Sequence, residues 1–141
     1  MRQAFSAGTT YFAIVFALSF ALGALRVLFL VPRFGECGAA LVEIPVMLAF
    51  SWFACRWIVG HLSVPRDAGT RLEMGAVAFG LLMLAEVCLG VFALGRSVTE
   101  HLAGYASPDR LLGLAAQVAF GLFPLIHAWT VNRASDRALT R

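Results

Sequence analysis

Four polar side chains interrupt stretches of sequence that are otherwise almost entirely apolar: Arg26, Glu43, Glu86 and Gln117. Three of them ionise, and a charged group in hydrocarbon is costly enough that it normally faces the protein interior and has a partner. A guanidinium can hold a carboxylate or a phosphate, and carboxyl groups can accept hydrogen bonds or carry protons. These four residues are therefore the candidate ligand-binding or proton-carrying residues.

The composition indicates the class of protein. Of the 141 residues, 60% are hydrophobic and only 13% are charged, and the mean hydropathy is +0.83. Soluble domains carry about 25% charged residues, so the chain is predicted to be an integral membrane protein. The net charge of +3 does not indicate nucleic-acid binding, because the arginines are scattered at the ends of apolar segments. We expect no nucleic-acid partner.

The apolar sequence divides into four segments, at about 11–31, 37–60, 72–94 and 111–131. Each has about 20 residues, which as a helix crosses a hydrocarbon core of about 30 Å. Backbone polar groups find no water in lipid, so the segments are predicted to be helices. The predicted fold is an all-α integral membrane protein: a single domain, residues 1–141, formed by an antiparallel bundle of four transmembrane helices. The first segment is longer than the apolar core of a signal peptide and is predicted to be retained.

The distribution of arginine predicts the orientation, because cytoplasmic segments are enriched in basic residues. With both termini on one side, that side carries Arg2, Arg56, Arg66, Arg71, Arg133, Arg137 and Arg141, and the other carries Arg33, Arg96 and Arg110. Seven arginines against three place both termini in the cytoplasm. All eleven basic residues are arginine, which suggests a GC-rich bacterial genome and, with it, a bacterial inner membrane. The four candidate residues then lie together in the outer half of the bilayer, about 8–12 Å below its surface.

Helical spacing places each candidate residue on a face with small neighbours, which close packing in lipid requires. The four faces contain Ser19, Gly23 and Arg26; Glu36, Ala40, Glu43 and Met47; Phe79, Leu82, Glu86 and Gly90; and Gly113, Gln117, Gly121 and Pro124. Arg26 and Glu43 are predicted to form an ion pair across the short connection 32–36, and Glu86 is predicted to be protonated or to bond to Gln117. Pro45 has no N–H for the Leu41 carbonyl, which leaves an extra acceptor in the same half of the bilayer.

Three interpretations of the polar residues remain open from the sequence. In the first, they only fix the register of the helices. In the second, Arg26 holds a lipid-like or small anionic ligand, and the protein is a non-enzymatic binding or accessory subunit, which is the function we expect. Within the same interpretation, Glu43 and Glu86 could carry protons, so that the protein would be a proton-coupled small-molecule carrier. In the third interpretation, Glu43 and Glu86 perform catalysis in a membrane enzyme with a lipid-soluble substrate. The expected partners are membrane lipids and a homo-oligomer or larger membrane complex, for which Ala13, Ala17 and Ala21 form a second packing face.

No cofactor or metal is predicted. A haem between His61 and His127 is disfavoured because axial ligands must face each other at similar depth and His61 falls in a connection, while His101 is at the opposite membrane face. Cys37, Cys55 and Cys88 form no CxxC motif. The connection around Arg96 and Glu100 is predicted to be either a short interfacial helix or a solvated linker.

Two resemblances accompany these patterns. The segment 36–45, ECGAALVEIP, resembles part of the second helix of the MAPEG family, four-helix enzymes of glutathione and eicosanoid metabolism. That family has a long cytoplasmic connection between its first two helices and a polar residue where this chain has Ala40, so its glutathione-binding residues are not transferred. Segments 22–27, 32–36 and 95–97 resemble a group of small four-span inner-membrane proteins of alphaproteobacteria, which implies an inner-membrane location and no known activity.

Overall fold

The computed structural model describes residues 2–93, 95, 99 and 108–139. Its elements are α1 (Arg2–Leu25), a first π-helical turn (Arg26–Leu30), α2 (Val31–His61), α3 (Ala68–Cys88), a second π-helical turn (Leu89–Ala93) and α4 (Pro108–Leu139). This part of the chain contains no strand, so the predicted all-α class is confirmed.

The described helices are long and apolar enough to cross a membrane, in three continuous stretches: Arg2–His61, Ala68–Phe92 and Arg110–Val131. Their most apolar windows have mean hydropathies of 2.5, 2.1 and 1.7, and few of the residues in these windows are buried inside the protein. Large apolar side chains such as Leu28 and Phe92 are instead exposed on the surface, as expected of a protein surrounded by lipid. The predicted membrane-protein class is therefore supported by the structure.

A single glycine reverses the direction of the first stretch. Gly35 has φ 69° and ψ 178°, a backbone conformation that residues with a Cβ atom rarely adopt. The amide of Gln3 donates to the Leu62 carbonyl at 2.8 Å, and the Ser19 hydroxyl lies 3.9 Å from the Met47 sulfur. These contacts show that the segments before and after Gly35 run antiparallel. The connection predicted at 32–36 is therefore helical apart from this one residue.

The helices pack in a ring, in which the main contacts join α1 to α3, α3 to α4, α4 to α2, and α2 to α1. At the centre, the fully buried Tyr11 ring stacks on Phe120 with ring centroids 4.4 Å apart. The Tyr11 hydroxyl also donates to the Phe120 carbonyl at 3.3 Å, which satisfies the one polar atom of this side chain. The remaining core consists mainly of small and aliphatic residues, including Cys55, Ile58, Met74 and Ala78.

The helices α3 and α4 come into backbone contact at two glycines. A Cβ built on Gly75 would lie 1.9 Å from the carbonyl oxygen of Gly121. Gly121 belongs to the small-residue face predicted for the fourth segment, and Pro124 of the same face is buried. Small residues let the backbones approach, so this contact sets the distance between the two helices that carry Glu86 and Gln117.

The helices extend beyond the apolar segments at several of their ends. The first helix begins at Arg2 instead of 11, and the third begins at Ala68 instead of 72. The carboxylate of Asp67 accepts a hydrogen bond from the Thr70 backbone N–H at 2.8 Å and thereby caps α3, and this bond lowers the pKa of Asp67. Hydrophobicity marks only the part of a helix that lies in hydrocarbon, whereas polar residues continue the helix beyond it.

Candidate functional site

Arg26 and Glu43 form the ion pair that the sequence predicts. Arg26 begins the first π-helical turn and Glu43 lies in α2, on the other side of Gly35. The Arg26 Nη1 atom lies 3.5 Å from Glu43 Oε2, and the two side chains are 27% and 17% exposed. The pair therefore joins the two antiparallel segments next to their reversal, at what we call the Gly35 end of the molecule.

Arg26 has a second carboxylate partner in Glu36. The Arg26 Nη2 atom lies 3.8 Å from Glu36 Oε2 and also donates to the Glu36 backbone carbonyl at 3.3 Å. The sequence places Glu36 on the same helical face as Glu43 but does not single it out as a partner of Arg26. With two carboxylates beside it, the guanidinium charge is already compensated within the protein. This arrangement does not favour an anionic ligand at Arg26.

Glu86 and Gln117 form the second pair. The Gln117 amide Nε2 donates to Glu86 Oε1, which joins α3 to α4, as one of the two sequence alternatives predicts. The amide oxygen of Gln117 is buried and has no hydrogen-bond partner in the part of the chain that the structure describes. The structure thus brings the four candidate residues together as two pairs, Arg26–Glu43 and Glu86–Gln117, which we call the polar pairs.

Both π-helical turns lie close to a polar pair. The first begins at Arg26 itself, and the second begins at Leu89, three residues after Glu86. Such turns are rare and occur frequently at functional sites, because the inserted residue changes which side chains share a face. Nothing in the hydrophobic pattern predicts them, since the residues involved are apolar in both cases apart from Arg26.

An apolar groove of about 300 Å³ lies between α2 and α4. It is lined by Leu41, Ile44, Pro45, Leu48, Leu112, Ala115, Ala116 and Ala119. These residues flank Glu43 on one helix and Gln117 on the other, so the groove runs beside the polar pairs. The Leu41 carbonyl, which receives no hydrogen bond from Pro45, belongs to a residue of this lining. We call this feature the apolar groove.

A larger cavity of about 510 Å³ lies at the opposite end of the molecule, which we call the Pro65 end. This basic cavity is lined by Arg56, Val59, Gly60, Ser63, Val64, Pro65, Arg66, Arg71, His127 and Val131. Arg71 is only 2% exposed, and it donates from Nε to the Pro65 carbonyl at 2.7 Å and from Nη2 to the Val64 carbonyl at 2.9 Å. Arg71 therefore holds the connection between α2 and α3 in place.

Sequence reasoning misses this cavity because hydropathy assigns Arg71 to the second connection. The available signal is Asp67, a residue type that is favoured as a helix N-cap and would start α3 at residue 68. Arg71 then falls in the first turn, on the face that continues with Gly75 and Ala78, and all three are buried. The helical period, extended by one turn, would have predicted a buried arginine.

The histidines and cysteines considered in the sequence analysis lie in separate parts of the molecule. His61 is exposed and stacks on Trp57 with ring centroids 5.0 Å apart, while His127 lines the basic cavity. Cys37 and Cys88 are exposed and Cys55 is buried. Within the described ranges, no group of three or more metal-ligating side chains comes together. His101, Arg96 and Glu100 lie outside the described residues.

No protein-family model, no curated protein and no solved structure matches this chain. The resemblance to small four-span inner-membrane proteins therefore stays a prediction. What the protein does must be argued from the polar pairs, the apolar groove and the basic cavity themselves.

Proposed function

We propose that the protein is a non-enzymatic binding or accessory protein of a bacterial inner membrane, which holds an acyl chain of a membrane lipid in the apolar groove. In this proposal the chain forms an antiparallel bundle of four transmembrane helices with both termini in the cytoplasm. The observation that carries the proposal is the groove itself, an apolar concavity between two membrane-spanning helices beside the polar pairs.

The proposed topology assigns the Gly35 end to the periplasmic side and the Pro65 end to the cytoplasm. The excess of arginine on the side of the termini supports this orientation. The hydrogen bond from Gln3 to the Leu62 carbonyl supports the assignment of the start of α1 and the connection after α2 to one and the same side. The polar pairs and the apolar groove then belong to the periplasmic half of the membrane.

The chemistry of the groove suits a lipid chain better than a soluble ligand. Its lining side chains are all apolar, and its volume of about 300 Å³ is at the lower end of ligand-binding pockets. The Leu41 carbonyl offers one acceptor to a hydroxyl near the head of such a lipid. Because Arg26 is already paired with Glu43 and Glu36, we assign the polar pairs the task of holding the helices around the groove in register.

The test is to fill the groove and measure the lipid that copurifies. Ala119→Leu puts a larger side chain into the lining, and Ala76→Leu, on an exposed face of α3, is the matched control. Native mass spectrometry of the full-length protein, released from mild detergent, should show lipid adducts on the wild type and on Ala76→Leu, and severalfold fewer on Ala119→Leu. Equal adducts on both variants, or none on the wild type, would contradict the proposal.

A second candidate function, a proton-coupled carrier, is favoured by the unpartnered amide oxygen of Gln117. If Glu86 takes up a proton, its hydroxyl can donate to that oxygen once the amide rotates by half a turn, so both protonation states have a bonded geometry. Proteoliposomes loaded with a pH-sensitive dye and supplied with a panel of small organic solutes should then take up protons together with one of the solutes, and Glu86→Gln should abolish that uptake while Glu36→Gln preserves it. Equal uptake by wild type and Glu86→Gln would exclude this function.

A further inference from the structure

Three arginines from three parts of the chain converge on the basic cavity. Arg56 comes from α2, Arg66 from the connection, and Arg71 from the first turn of α3. None of the described lining residues is a carboxylate. Asp67, four residues before Arg71, is exposed and attracts Arg71, but its Oδ1 atom is already bonded to the Thr70 N–H. Positive charge therefore exceeds negative charge among the described residues that line the cavity.

The Arg71 side chain is fixed in position with donor capacity to spare. Two backbone carbonyls accept its Nε and Nη2 hydrogens, while its Nη1 atom is buried and has no partner among the residues described. The Nδ1 atom of His127, in the same lining, is also buried without a partner in the described chain. The Arg71 Nη1 group is a donor, and a buried donor without an acceptor is costly; an acceptor placed in the cavity would remove that cost.

The position and size of the cavity limit what the acceptor can be. The lining includes Gly60 and Val131, which stand at the ends of two membrane-spanning stretches, where hydrocarbon gives way to lipid headgroups. A volume of about 510 Å³ accommodates a tetrahedral anion together with the group that carries it. Arg56, Arg66 and Pro65 are exposed, so the cavity can be reached from outside.

We propose that the basic cavity binds a phosphate group, carried by a phospholipid headgroup or present as free phosphate. Guanidinium groups form two parallel charge-assisted hydrogen bonds to phosphate oxygens, and a phosphate presents enough oxygens for several arginines at once. Arg71 supplies the buried, preoriented donor, while Arg56 and Arg66 supply charge at the entrance. The proposal is independent of the apolar groove, because no residue lines both.

The experiment measures binding to the full-length protein in a neutral detergent by isothermal titration calorimetry. The probes are inorganic phosphate, short-chain phosphatidylglycerol, and the corresponding short-chain diacylglycerol, which lacks the phosphate. The variants are Arg56→Gln and Arg66→Gln, both at exposed positions where folding is retained, with Arg133→Gln as an exposed control outside the cavity. Loss of one charge-assisted contact should weaken binding about tenfold in each cavity variant and leave the control unchanged.

The outcomes separate the two sources of phosphate and can overturn the proposal. Binding of phosphatidylglycerol without binding of inorganic phosphate identifies a headgroup site, and tight binding of inorganic phosphate identifies a site for the free anion. The proposal is overturned if neither probe binds, if the diacylglycerol binds as well as phosphatidylglycerol, or if Arg56→Gln and Arg66→Gln behave like Arg133→Gln. Ala119→Leu should leave this binding unchanged, so a failure of the groove proposal is distinguishable from a failure here.

Discussion

The arginines at the two ends of the molecule have different partners. At the Gly35 end, Arg26 lies between the carboxylates of Glu43 and Glu36. At the Pro65 end, Arg71 donates to two backbone carbonyls and shares a cavity with Arg56 and Arg66. At the Gly35 end, carboxylates of the protein itself compensate the charge of the arginine. At the Pro65 end, positive charge is concentrated where a bound anion can compensate it. The comparison therefore separates a structural use of arginine from one suited to ligand binding.

The difference follows from where each arginine lies along the membrane-spanning helices. In the proposed topology Arg26 lies within the hydrocarbon, where neither water nor a phosphate is available, so its countercharge comes from the chain itself. The same topology places the Pro65 end at the headgroups, where phosphates and water are available and a cluster of basic residues attracts anionic lipid. The proposed depths therefore account for a paired arginine at one end and for a basic cavity at the other.

The largest expected effect comes from breaking the pair at the Gly35 end. Arg26→Leu leaves Glu43, whose side chain is only 17% exposed, without its countercharge. Removing one partner of a partly buried pair in apolar surroundings should lower the free energy of unfolding by about 3 kcal/mol. Denaturation by increasing amounts of sodium dodecyl sulfate, followed by circular dichroism of the purified protein in mixed micelles, measures this change.

Two control variants sharpen the interpretation of that loss. The double variant Arg26→Leu with Glu43→Leu should recover part of the stability, because it removes both charges from the apolar surroundings. Glu36→Gln should cost less than about 1 kcal/mol, because the Glu36 side chain is 72% exposed and its ion pair is weak. If the double variant is as unstable as Arg26→Leu, the ion-pair explanation fails.

A smaller loss is expected from separating the helices that carry the second polar pair. Gly75→Ala forces a Cβ against the Gly121 carbonyl oxygen, so α3 and α4 must move apart, at a cost of about 2 kcal/mol. Gly80→Ala is the matched control, because a Cβ there has no atom within 4 Å. In the same denaturation assay Gly80→Ala should be at least as stable as the wild type. Equal stability of the two variants would show that the close approach at Gly75 is absent in the membrane protein.

The polar pairs could be predicted from the sequence for a definite physical reason. A charge in an apolar segment must find a partner at similar depth, and the rise of a helix converts sequence position into depth. That reasoning predicts Arg26 with Glu43, and it gives Gln117 as one of two alternatives for Glu86, the other being protonation; the structure contains both contacts. It does not single out Glu36 as a partner of Arg26, although Glu36 shares a helical face with Glu43, because residue 36 is also assigned to the connection 32–36; the structure extends α2 through it.

The basic cavity, by contrast, depends on features to which hydropathy is insensitive. It is formed where polar residues extend the helices beyond the hydrocarbon and where the connection 62–67 folds back over Arg71. Hydropathy does not predict the apolar groove either, because an alanine that lines a groove and an alanine that faces lipid have the same hydropathy. Both features depend on how the helices pack. A periodic pattern predicts which face of a helix is packed, but it does not predict the distance between two helices.

The smallest effect expected concerns the acidic residue at the Pro65 end and its response to pH. The hydrogen bond from the Thr70 N–H lowers the pKa of Asp67 below the ordinary value of 3.8, so the folded protein favours the ionised carboxylate. The stabilisation from this cap is therefore fully present above pH 3.8 and is lost as the pH falls through the lower folded-state pKa. Asp67→Asn keeps a capping oxygen but cannot titrate.

Unfolding of wild type and Asp67→Asn should therefore be compared over the acidic range. Other carboxylates titrate in both proteins, so the difference between their stabilities isolates Asp67. We expect the wild type to lose stability relative to Asp67→Asn as the pH falls below the ordinary aspartate pKa. The loss should be smaller than that caused by Arg26→Leu or by Gly75→Ala, because the Asp67 side chain is exposed. A difference that does not change with pH would show that the carboxylate does not cap α3. Arg71 would then lose the support of the helix end from which it reaches the basic cavity.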